Sequence, residues 1–234
     1  MTPHDELKLA LASIRYPKGI VACTGNYCAI AGQSFFPGGR GHVRDELPIG
    51  GIMYLGHNFD KVSGFEDSVA RGHEENLTWR KIRAAVLPIL PESDIWFTNF
   101  FMGLIDGPTN MGALKRTAGF PDYESDCWDY LNLQVRLQRP RIIAVLGKEV
   151  VKVLGPKYRV DIPAWLLRDK DSYGPLRMKV HEVGTIHKGT VTHVKMIPAY
   201  HPSYGRCDKQ LSSVLEDAAF ISSIYRRNSP QSTN

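Results

Sequence analysis

The stretch Arg141–Gly147, "RIIAVLG", constrains the fold more than any other. Five apolar residues in a row, ended by a glycine, read as a strand buried on both faces. The chain then turns at once into "KEVVKVLG", a helical run expected to close at Gly155. A buried strand feeding directly into a helix is the building unit of a parallel sheet covered by helices. The rest of the sequence repeats the theme. "GIMYLG" (51–56) and "DIWFTNF" (94–100) read as strands. "NLTWRKIRAAVLPIL" (76–90), with Asn76 as N-cap, and "YESDCWDYLNLQVRLQ" (123–138) read as helices. Two strand-like runs follow, "LRMKVHEV" and "TVTHVKMIPAY", then a last helix over 208–227. The predicted fold is α/β: a three-layer sandwich with a mostly parallel central four-stranded sheet.

With 234 residues, 43% of them hydrophobic, the chain can bury one sizeable core, and a single domain over 1–227 is expected. The tail 228–234 is polar and is expected to be disordered. The N-terminus reads as a short amphipathic helix rather than a signal peptide, and no apolar run approaches the roughly 20 residues that span a bilayer. These features point to a soluble, cytoplasmic chain with no membrane partner, expected to be a monomer. A formal charge of +5 suits a polyanionic partner such as nucleic acid.

The four cysteines, Cys23, Cys28, Cys127 and Cys207, are expected to be reduced thiols. Cys23 and Cys28 are separated by four residues, wider than a zinc knuckle requires, and no second pair accompanies them. No metal ligand is assigned. The Gly-, Pro- and Cys-rich segment 18–50 reads as a long loop with turn chemistry at Pro37-Gly38-Gly39.

In open α/β sheets ligands bind beyond the carboxyl ends of the strands. Three segments leave strands with unusual polar content: "GHNFD" (56–60), "TNFF" (98–101) and "HPSYGR" (201–206). They are expected to meet on one edge. Asn99 presents one carbonyl and one amide, which suits the edge of a pyrimidine; equally, such an asparagine can cap its own loop. Asn58 can hold a water and Asp60 can offer a negative charge, although both residue types are also common in turns. His201 precedes a proline, which biases it toward extended backbone and a fixed ring direction; it can donate to a developing anion, or be a surface histidine without a role. Ser203 can bond a phosphate or its own loop.

Together these pieces resemble the uracil-DNA glycosylase superfamily, from about Gly51 to Arg206. Gly56-His57-Asn58-Phe59 is similar to that superfamily's motif A, His201-Pro202-Ser203 matches its motif B, and "FTN" looks like the strand whose asparagine reads uracil. "RPRIIAVLG" (139–147) is very like the run that leads into the helix after the fourth strand in its thermophilic branch. There are departures. Phe59 stands in place of the usual motif A proline. Asp60 occupies the place where a tyrosine excludes thymine. The cysteine spacing of the iron–sulfur branches is lost, and Gly103 falls where a further ligand is expected, so no cluster and no other cofactor is expected.

The resemblance implies hydrolysis of the N-glycosidic bond of uracil in DNA, with the base flipped out of the helix. It implies Asn58 as the water-positioning residue, with Asp60 as the alternative, and His201 as donor to the uracil O2. Asn99 would read the base, with His57 beside it and Phe59 or Phe65 as the aromatic floor. Ser203, Tyr204, Gly205 and Arg206 would contact the DNA, Arg206 filling the gap left in the stack. A glycosylase for hypoxanthine or xanthine, or a non-catalytic nucleotide- or DNA-binding protein on the same sheet, are the alternatives.

Overall fold

The computed structural model describes residues 1–22, 47–59, 61–71, 77–108, 110–158, 178–187, 190–202 and 209–227. In chain order the elements are α1 (Pro3–Ala12), β1 (Ile20–Val21), β2 (Ile52–Asn58), α2 (Val62–Arg71), α3 (Leu77–Ala85), β3 (Ile95–Phe101), β4 (Leu104–Ile105), α4 (Met111–Leu114), α5 (Phe120–Gln138), β5 (Ile142–Leu146), α6 (Lys148–Lys157), β6 (His181–His187), β7 (Thr190–Ala199) and α7 (Lys209–Arg227).

The main sheet has the order β3-β2-β5-β7-β6. Its first four strands run parallel: Ile52 of β2 lies beside Ile95 of β3 and Ile142 of β5, and Ile142 lies beside Lys195 of β7. The expected four-stranded sheet is therefore corrected to five strands among the described residues. The fifth, β6, runs antiparallel to β7 from His181–Met196 to His187–Thr190. Two residues separate these strands in sequence, too few for the crossover that a parallel pair needs. The strand expected to begin at Leu176 begins at His181, because Met178 has φ 56, outside the extended region.

Apolar residues alternate to the two faces of the sheet. Met53, Leu55, Ile143, Val145 and Met196 pack in one cluster with Tyr123, Cys127 and Leu131 of α5 and with Val150 and Leu154 of α6. Ile52, Tyr54, Phe97, Ala144, Ile197 and Ala199 pack in another with Trp79 and Ile82 of α3 and with Val214, Ala218 and Ile221 of α7. Helices on both faces of a mostly parallel sheet are compatible with a three-layer sandwich. All five residues of β5 are buried, as a strand covered on both sides must be. Helix α6 continues through Gly155 and Pro156 and closes where the N–H of Tyr158 donates to the Leu154 carbonyl at 2.8 Å.

Helix α5 carries polar side chains into the core and satisfies several of them. Gln134 and Thr98 of β3 exchange hydrogen bonds at 3.3 and 3.4 Å, and the Gln138 amide donates to the Pro48 carbonyl at 3.2 Å. The Cys127 sulfur accepts the N–H of Met102 at 3.4 Å. Its thiol is fully buried and is pushed up to about 12, mainly by that burial. No helix among the described residues is long and apolar enough to cross a membrane.

Candidate functional site at the carboxyl edge of the sheet

Because β2, β3, β5 and β7 are parallel, their carboxyl ends share one edge of the sheet. Gly56 of β2 pairs with Asn99 of β3, Asn58 with Phe101, and Leu146 of β5 with Ala199 of β7. Asn58 closes β2, and His201 lies two residues beyond β7. Of the three segments singled out by their polar content, the described parts, 56–59, 98–101 and 201–202, lie along this edge. From β3 to β7 is three strand spacings, or about 14 Å between backbones. Gly56 lies directly beside Asn99 and carries no side chain of its own.

His201 is held by the element next to it. Gly147 links β5 to α6 with φ 83 and ψ 155, a conformation almost confined to glycine. A Cβ at this position would lie 2.9 Å from the His201 Cβ and 3.4 Å from two of its ring carbons. The N–H of Gly147 donates to the Ala199 carbonyl at 2.9 Å, tying the start of α6 to the end of β7. The imidazole thus packs on bare backbone. Burial, and secondarily the charge of Lys81, push its pKa down to about 4, so the ring is neutral at pH 7.

His57 lies on the other flank. One of its ring nitrogens, Nδ1, is 3.0 Å from Asn58 Oδ1. In the Nδ1–H tautomer His57 donates to that oxygen, which fixes the Asn58 carboxamide and keeps one oxygen lone pair for a further donor. Nε2 of His57 is buried, with no hydrogen-bond partner among the described residues. The ring meets the edge of Phe101 with centroids 5.2 Å apart. Its pKa is also pushed down to about 4, first by burial and then by the charge of Lys115; the bond to Asn58 and the charge of Glu149 oppose this, and His201 adds to it. The Lys115 ammonium lies 5.7 Å from the centre of the Phe101 ring.

Asn99 is 3% exposed and sits within β3. Strand alternation carries it with Ile95 and Phe97, and carries His201 with Ile197 and Ala199, all residues that pack toward α3 and α7. Tyr200, between Ala199 and His201, packs instead against the cluster under α5 and α6. Phe59 and Phe65 are 3% and 7% exposed and are built into that same cluster.

Asp60, Ser203, Tyr204, Gly205 and Arg206 lie outside the described residues, as do Asn76, Cys23, Cys28, Cys207 and the tail. Among the described residues no three His, Cys, Asp or Glu side chains are grouped to hold a metal ion. The structure gives site roles to residues to which the sequence assigned none: Gly147 and Lys81 beside His201, and Phe101, Lys115 and Glu149 beside His57. The glycine directly after "RIIAVL" was the one available signal, since a strand passing straight into a helix needs a tight link. The chain matches no protein-family model, and no curated protein is similar to it.

Proposed function

We propose that the chain is a DNA glycosylase with a uracil-DNA glycosylase-like fold, which flips uracil out of DNA and hydrolyses its N-glycosidic bond. One observation carries this reading: Asn58, Asn99 and a neutral, partly buried His201 lie on one sheet edge, with Gly56 directly beside Asn99. In this reaction a water oxygen bonds to C1′ as the C1′–N1 bond breaks. The bonding pair leaves with uracil, negative charge develops on its O2, and the proton that the bound water loses passes through solvent to the uracil anion. The sugar is cation-like in between, so the water needs placement more than deprotonation. Asn58, steadied by His57, supplies that placement through its carbonyl oxygen, and Asp60 is the alternative group. The neutral His201 imidazole donates an N–H to O2. Asn99 offers its amide N–H to O4 and its carbonyl to N3–H, the pattern of uracil and the reverse of cytosine. Ser203 to Arg206 follow His201 in the chain and are assigned to the DNA backbone and the vacated stack.

The test is release of base from labelled oligonucleotides carrying uracil, hypoxanthine, xanthine or 5-hydroxymethyluracil, in single and double strands. Uracil release is expected, with His201→Ala about 100- to 1000-fold slower, the usual cost of losing an anion-stabilising donor. Release of hypoxanthine or xanthine alone would move the assignment to another deaminated base. No release of any base would sink the enzyme reading and leave a nucleotide- or DNA-binding protein.

A further inference from the structure

We infer that Asp217 is a positioning residue for His201. The inference rests on the role proposed above for that histidine. On α7, Val214, Asp217, Ala218 and Ile221 share one face by helical spacing, and each is buried, Asp217 being 4% exposed. A carboxylate thus occupies the apolar stripe that α7 packs on the sheet, among the neighbours of Ile197 and Ala199. Burying a carboxylate is unfavourable unless it is hydrogen-bonded. Asp217 Oδ2 accepts the backbone N–H of Tyr200 at 2.6 Å, a short, charge-assisted bond to the residue immediately before His201. The carboxylate also lies near the buried Tyr54 phenol, which is pushed above its ordinary range by burial and then by the Asp217 charge.

This bond completes a clamp. The carbonyl of Ala199 is held by the N–H of Gly147, the N–H of Tyr200 by Asp217, and the ring of His201 rests against Gly147. Three consecutive residues, 199 to 201, are thereby fixed from two sides, by α6 and by α7. The Asp217 bond acts on the peptide that leads from the last strand residue, Ala199, into His201. A donor must lie within a few tenths of an ångström of its place to act on a developing anion, and a shift of 1 Å can cost about 100-fold.

The experiment compares wild type with Asp217→Ala, Asp217→Asn and His201→Ala. Single-turnover uracil release and DNA dissociation constants are measured separately, and the His201 ring and Tyr200 amide are followed by NMR. Asp217→Ala is expected to slow release about 10- to 100-fold, with DNA affinity unchanged and the His201 resonances displaced. Asp217→Asn keeps an acceptor oxygen for Tyr200 and is expected to recover most of the rate. Asp217→Ala at the wild-type rate with unmoved His201 resonances would overturn the inference, whatever its melting temperature. Should Asp217→Ala fail to fold, Asp217→Ser takes its place, keeping a polar group that is too short to reach Tyr200. A Tyr200 amide in the wild type that exchanges as fast as an open loop would also overturn it. If the wild type releases no base at all, the glycosylase reading falls, and the NMR arms still decide whether Asp217 sets the His201 ring.

Discussion

At the scale of single residues, the two histidines of the edge tie stability to pH. His201 and His57 are both held near a pKa of about 4, in each case first by burial. In the unfolded chain an imidazole titrates near 6.5. Between about pH 4 and 6.5 the unfolded state therefore binds protons that the native state refuses. Stability from this source is complete above pH 6.5 and is lost as the pH falls toward 4, on the order of 2 kcal/mol per histidine at pH 5. Urea midpoints at pH 7 and pH 5 should show the drop, and His201→Asn should reduce it. The single-turnover rate should show no His201 inflection near pH 6.5. Asn99→Asp makes a second residue-scale prediction: a protonated carboxyl can donate to cytosine N3 and accept from its amino group, so cytosine release should appear where the wild type shows none. Asn58, Asn99 and His201 were visible in the sequence because they are polar residues at strand ends. Asp217 was not, because its partner Tyr200 lies 17 positions away and only folding brings them together.

At the scale of elements, the junction between β5 and α6 governs the site. An alanine at Gly147 would sit in a backbone region that costs of the order of 1–3 kcal/mol for a residue with a side chain, and its Cβ would strike His201 at 2.9 Å. Gly147→Ala should lower the melting temperature by several degrees and slow base release, although it replaces no group that meets the substrate. Thermal melts alongside excision assays separate the two effects. Most strands and long helices could be read directly, since five buried residues in β5 or a 3.6-residue stripe in α5 leave few alternatives. Helix α2 could not. Its "VSGFEDSVAR" includes glycine and two serines, weak helix formers, and Phe65 anchors it to a core that local sequence does not reveal. The direction of β6 was not legible either: its strand-like run ends at Val183 in sequence, and only the extension of β6 to His187 leaves the two-residue gap that forces an antiparallel pair.

At the scale of the whole molecule, the alternation of strands and helices was enough to foresee a mostly parallel sheet with helices on both faces, and hence which edge would carry polar residues. The run "LRMKVHEV" was strand-like in sequence, but two strands in succession, β6 and β7, break the alternation from which a four-stranded sheet was expected. The net charge of +5 belongs to this scale as well. If the partner is DNA, binding should weaken steeply with salt, each neutralised phosphate contributing a slope of about 0.9 in log K against log salt for duplex DNA. Fluorescence anisotropy across a salt series measures it, and a flat response would argue against a phosphate-tracking surface. The Cys127 thiol, sealed between α5 and the end of β3 and bonded to the Met102 N–H, has a consequence in time rather than in energy. An alkylating reagent can reach that sulfur only when α5 lifts away from the sheet. The rate at which native protein is labelled at Cys127 is therefore a clock for that opening, and it would show whether bound DNA keeps the two layers closed.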